Sequence, residues 1–158
     1  VYCSFAGFSR GMSLIPEETY RSIVETMPIL CVDAIIRNDK QEVLLVKRTN
    51  EPLKGEWWVP GGRVYKGESL ENAIKRKIKE ELGIDIQIKG TVGYYEDQFE
   101  KNPLNVESGL HTLGIVFEAL PQSLDVKLDD QSGDWKFFDK IPTRLAIKRF
   151  IQVSNISE

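Results

Sequence analysis

The chain has 158 residues, 41% of them apolar and 28% charged, with a formal net charge of −3. That length suits one domain with a real core and is short for two. The mild acidity argues against a protein that coats nucleic acid, which usually carries a basic face, and no apolar run approaches the roughly 20 residues of a membrane span.

Met12 opens "MSLIPEETYRSIVETMP" and reads like a protein start. Residues 1–11 are therefore expected to be an N-terminal extension, upstream or added, and 12–158 a single domain. "VYCSFAGF" is too short and too polar for a signal peptide. Cys3 and Cys31 form no CxxC pair and no metal spacing. Free thiols suit a reducing, cytoplasmic location.

Pro16 suits the first turn of a helix. Tyr20, Ile23, Val24 and Met27 mark one face of it, and Pro28 ends it. "ILCVDAII" (29–36) reads as a buried strand interrupted by Asp33. "NDKQ" reads as a turn and "EVLLVKR" (42–48) as the returning strand of a hairpin. "TNEPLKGE" is a loop, "WWVP" a short strand and "GGRVYKGE" a glycine-rich turn. Ser69 can cap a helix over 70–82, and Gly83 can close it. "IDIQIKGTVGYY" gives one or two strands. Residues 96–109 form a long polar loop, of the kind that tends to be functional. "LHTLGIVFEA" is a strand, "KLDDQSGD" an acidic loop, "WKFF" a short strand and "PTRLAIKRFIQV" a closing helix. The pattern predicts an α/β domain with a mixed sheet flanked by helices.

The helix over 70–82 has an odd packing face. Residues advance by roughly 100° each. Leu70, Ala73, Ile74, Ile78 and Leu82 share one flank, and Lys77 and Glu81 fall in its middle. Glu80 and Glu81 are hard oxygen donors of the kind Mg²⁺ or Mn²⁺ takes. Arg76 lies four residues before Glu80 and can hold it. Glu68, just before the helix, suits the dipole and can reach Arg76.

In "GGRVYKGESLENAIKRKIKEELGI" (61–84), Gly62, Glu68, Arg76, Ile78, Glu80, Glu81, Gly83 and Ile84 stand at the spacing of the Nudix box. The chain thus resembles the Nudix hydrolases. Lys77 replaces the glutamate expected after the box arginine. "KRTNEPLKGEWWVPGGRVYKGESL" is similar to the GDP-mannose mannosyl hydrolases within that superfamily, which also lack that glutamate.

The resemblance implies a Nudix-type α/β/α sandwich, one divalent ion (Mg²⁺ or Mn²⁺), a nucleotide substrate and a homodimer. It implies Glu81 as main metal ligand, with Glu80, the Gly61 carbonyl and Gln131 beside it. Lys77 would pair with Glu81 or a substrate phosphate, in place of charge that a second metal supplies elsewhere. Arg48 and Arg63 match arginines that hold a diphosphate, a task suited to guanidinium forks. Asp33 matches an aspartate of the same pattern, though in an apolar strand it needs a partner, either an arginine or the substrate. Arg76 completes the catalytic set. Trp58 or Trp57 could stack on a base or sugar, while one of them faces the core.

Where the mannosyl hydrolases carry a basic histidine, this chain has Ser132, which has no useful basicity near neutral pH. The single histidine, His111, reads as structural. Asp130, Asp134, Glu96, Asp97 and Glu100 are other candidate bases. Three functions follow. The first, which the resemblance favours and which is the function expected here, is Mg²⁺-dependent hydrolysis of a GDP-sugar such as GDP-mannose at the anomeric C–O bond. The second is P–O cleavage of a nucleotide sugar or nucleoside triphosphate. The third is a nucleotide sensor that keeps the box without the base.

Overall fold

The computed structural model describes residues 15–130 and 132–140. Its elements, in order, are α1 (Glu17–Thr26), β1 (Ile29–Ile36), β2 (Val43–Arg48), β3 (Trp57–Trp58), β4 (Gly61–Arg63), α2 (Leu70–Leu82), β5 (Ile86–Phe99), β6 (Leu110–Pro121) and β7 (Ser132–Phe138). The expected closing helix and Gln131 lie outside the described residues. No helix among the described residues is long and apolar enough to cross a membrane.

The strands form two sheets, ordered β4-β1-β6-β5 and β3-β2-β7. The first is mixed, because β1 runs parallel to β6 and antiparallel to β4. This corrects the hairpin expected from 29–48. The chain does reverse at 38–42, yet β1 and β2 enter different sheets and share one isolated bridge, Arg37 to Val43. The reason is that both edges of β1 are already taken, by β4 and β6. A second correction concerns 61–63, expected as a turn. Here Gly61 pairs with Asp33, Gly62 with Val32 and Arg63 with Cys31. A Cβ on Gly61 would lie 2.2 Å from the Val32 carbonyl oxygen, so only glycine lets β4 come this close.

Side chains alternate across a strand, and β1 uses both faces. Val32, Ala34 and Ile36 pack with Leu44 and Val46 against Ala73, Ile74, Ile78 and Leu82 of α2. Ile35 packs the other way, with Leu45, Trp58, Tyr95 and Val116. Asp33 shares that second face with Ile35.

Local signals set the ends of α2. The Ser69 side chain accepts from the Asn72 N–H, and Gly83 closes the helix in the left-handed region at φ 69°. Beyond it, the backbone of 127–129 docks on the helix end: Lys127 N–H donates to Leu82 O and Asp129 N–H to Glu81 O. This brings the acidic loop beside Glu81.

Candidate active site

The face of α2 that carries charge meets the glycines of β4. Lys77 is buried, at 8% exposure. Its Nζ lies 3.3 Å from Glu80 Oε2 and 3.7 Å from Glu81 Oε1. Gly62 makes room for it, since a Cβ there would stand 2.6 Å from Lys77 Cε. The Gly61 N–H donates to Glu81 Oε2 at 3.1 Å. Gly61 therefore holds Glu81 through its amide.

Arg76 is the brace of this helix. Its Nε and Nη2 donate to the two oxygens of Glu68 at 2.7 and 2.9 Å. Its Nη1 donates to Glu80, and Nη2 also reaches the Arg63 carbonyl. The guanidinium lies over the Tyr65 ring. Glu68 is held below its ordinary pKa by these bonds and the Tyr65 N–H, although burial pulls the other way.

Asp33 is 4% exposed. Its hydrogen-bond partner is a tyrosine, while Arg48 acts on it through charge. The Tyr95 hydroxyl, 62 residues away, donates to Asp33 Oδ2 at 2.6 Å. Loss of water pushes Asp33 up to about 7, with the Glu81 charge adding to the rise; Tyr95, Arg48 and the Trp58 indole act against it. Glu81 is raised as well, first by burial and then by Asp129, with Lys77 opposing. Burial and the neighbouring Asp33 likewise push the Tyr95 hydroxyl up.

Asp33 and Glu81 line one pocket of about 170 Å³ together with Arg48, Arg63, Trp58 and Ser132. Arg48 Nε donates to Pro52 O at 2.7 Å, which anchors its loop. Arg63 lies over Tyr20 at 4.5 Å and Tyr65 at 5.4 Å. Trp58 is the inward tryptophan, edge-on to Tyr95, while Trp57 packs on Phe138. His111 lies on β6, where its half-buried ring places Nε2 2.9 Å from Oε1 of the exposed Glu96. Asp130 and Asp134 are exposed too. The structure thus gathers Asp33, Arg48, Trp58, Gly61, Arg63 and Glu81 at the pocket, with Lys77, Glu80 and Arg76 supporting them from α2.

Two residues beside the site escaped the sequence reading. Tyr95 was one of two adjacent tyrosines on a strand, and only the burial of its face distinguishes it from exposed Tyr94. Asp129 heads the "DDQ" run, and its charge acts on Glu81.

A divalent cation suits this donor set. Asp33, Glu81 and Asp129 crowd negative charge into a dry place, which is why two of them hold their protons more tightly than usual. Among the described residues no group of three or more Asp, Glu, His or Cys side chains is placed to hold a metal ion by itself. That is ordinary for Mg²⁺, which keeps waters and substrate phosphates in its shell.

Residues 27–141 match the NUDIX domain family. The chain belongs to the Nudix family. Among Nudix relatives it is similar to the low-salt glycan biosynthesis protein Agl8 of Haloferax volcanii, 36% identical over 125 residues, or 79% of this chain and 80% of that one. It is also similar to an ADP-ribose pyrophosphatase of Methanocaldococcus jannaschii, 37% identical over 112 residues, or 71% of this chain and 62% of that one. The MutT protein of Methanosarcina mazei Go1 superposes with a TM-score of 0.66 at 25% identity, covering 84% of this chain and 99% of that one. The Nudix α/β/α fold expected from the box is therefore present. The family match and these likenesses show the Nudix hydrolases as a superfamily.

Proposed function

We propose that this Nudix hydrolase acts on a nucleoside diphosphate sugar and cuts a P–O bond of its diphosphate. The observation that carries the reading is one pocket lined by Arg48, Arg63, Glu81 and Asp33 together. Two guanidinium groups suit a diphosphate. The preference for P–O cleavage rests on Ser132, which lines the pocket where a basic histidine would serve attack on the anomeric carbon. The names of two relatives, an ADP-ribose pyrophosphatase and a glycan biosynthesis protein, agree with a nucleotide-sugar substrate.

In this reading Glu81 and Glu80 hold a Mg²⁺ or Mn²⁺ ion, with the Gly61 carbonyl and Gln131 as further ligands. When bound, the ion neutralises phosphate oxygens and acts as a Lewis acid. Arg48 and Arg63 bind the diphosphate. Arg76 fixes Glu80 against the loop through Glu68, and Lys77 holds Glu80 and Glu81 together. Asp33, with its pKa moved to about 7, can take a proton from water near neutral pH. Trp58 closes the floor. A homodimer belongs to the same proposal, and light scattering on the eluting peak tests it.

A second reading keeps anomeric C–O cleavage of GDP-mannose. It is favoured by Lys77 at the box position where the mannosyl hydrolases also lack a glutamate. Product analysis with Mg²⁺ separates the two. GMP and mannose 1-phosphate support the first, GDP and free mannose the second. Binding of nucleotide sugars with no turnover across a panel would overturn both.

A further inference from the structure

The Nudix match begins at residue 27, so α1 (17–26) stands outside it. This added helix nevertheless forms part of the pocket. Val24 is buried with Ile29, Leu104 and Val106, and Tyr20 and Leu110 pack against them. Arg21 Nη1 donates to the Leu104 carbonyl at 2.8 Å, tying the helix to the 100–109 loop. That loop is fixed from within by Asn102. Its Oδ1 accepts from the Leu104 and Val106 N–H groups, and its Nδ2 donates to Val106 O.

Tyr20, Val24, Leu104 and Leu110 line the same pocket as Asp33 and Glu81. The pocket therefore has two ends of different chemistry. One end carries carboxylates and arginines. The other is an apolar lobe made by α1 and the 100–109 loop. Arg63 marks the join, because its guanidinium lies over the Tyr20 ring.

We infer that this lobe is the subsite for the nucleobase of the substrate, and that α1 is its specificity wall. The inference rests on the nucleotide-sugar reading above. Hydroxyls of a sugar placed against Val24, Leu104 and Leu110 would lose water and gain no partner from those three side chains, and the polar lining beside them, Asn102 and Thr112, is buried, with Asn102 bonded within its own loop. A flat aromatic ring bears no such loss, and it can stack on Tyr20 as bases stack on aromatic side chains. One ring system at the apolar end leaves the diphosphate at the arginines and the sugar outside.

Isothermal titration with Mg²⁺ tests this, using ADP, GDP and inorganic pyrophosphate on the full chain. ADP and GDP are expected to bind at least about tenfold tighter than pyrophosphate. In Val24→Phe and in Leu110→Phe, which fill the lobe, that advantage should vanish while pyrophosphate binding stays. An advantage that survives both substitutions would overturn the inference, as would its absence in the unaltered protein. If neither ADP nor pyrophosphate binds, the diphosphate reading itself fails, which is a different result. Should Val24→Phe fail to fold, photolabelling of the unaltered protein with 2-azido-ADP decides: adducts on α1 or residues 100–110 support the subsite, and adducts confined elsewhere refute it.

Discussion

Replacing Asp33 with asparagine should flatten the pH dependence of stability in metal-free protein. The native carboxyl is buried and raised from 3.8 to about 7, whereas in the unfolded chain it ionises near 4. Between those values the native state holds a proton that the unfolded state has lost. The contribution is fully present below about pH 4 and is lost as pH rises to about 7. At about 1.4 kcal/mol per pH unit, the whole loss is about 4 kcal/mol. Asparagine does not titrate, so it escapes this loss. Its amide nitrogen would also face donors, the Tyr95 hydroxyl or the Trp58 indole, at a cost of about 1–3 kcal/mol. That cost does not depend on pH, and the slope is free of it. Urea unfolding in EDTA, at steps from pH 4 to pH 8, gives the difference between variant and parent. It should move in favour of Asp33→Asn by about 4 kcal/mol across the range and level off above 7. Parallel curves would refute the reasoning, because they would mean that Asp33 is ionised in the folded protein at all these pH values.

Three further outcomes are expected. Glu81→Gln should remove metal-dependent turnover by about a thousandfold and weaken Mn²⁺ binding read by paramagnetic resonance; an unchanged rate would remove Glu81 from the metal site. Arg76→Lys keeps the charge but loses the fork on Glu68, so urea unfolding should show a loss of about 1–3 kcal/mol, and no loss would mean the brace is idle. Ser132→His should create release of free mannose from GDP-mannose if the chain descends from a C–O-cleaving enzyme; a folded, metal-binding variant with no such product counts against that descent.

The residues explain what could be read in advance. The bounds of α2 were legible because Ser69, Gly83 and the apolar spacing are local signals, and the structure ends the helix where they stand. The Glu68–Arg76–Glu80 brace was legible for the same reason, being set by spacing along one helix and its entry loop. Sheet membership was not. The short apolar runs at 29–36 and 42–48 say that both segments are strands but not which neighbour each one takes. The strand at 61–63 was hidden because two glycines read as a turn, while the deciding fact is the close backbone of β1. Tyr95 was hidden because its bond to Asp33 crosses from one strand to another with no sequence spacing to announce it. The lobe under α1 depends on four apolar residues from two distant segments, each of which looks like ordinary core.

The charged centre of the α2 packing face follows from where that face ends. Ala73, Ile74, Ile78 and Leu82 cover the sheet, and Lys77 and Glu81 lie where the sheet gives way to two glycines. An apolar pair there would pack no better, since β4 offers backbone and no side chains at 61 and 62. A carboxylate alone would be driven to hold its proton, as the raised Glu81 already shows. Lys77 supplies a resident positive charge to Glu80 and Glu81, and Gly62 gives its stem a channel. Removing one member of such a buried pair costs more than the pair contributes. In this chain the lysine, the glutamates and the glycines therefore depend on one another. A Nudix chain with glutamate at position 77 would crowd a further negative charge against Glu80 and Glu81 and would need a cation from solution to hold them.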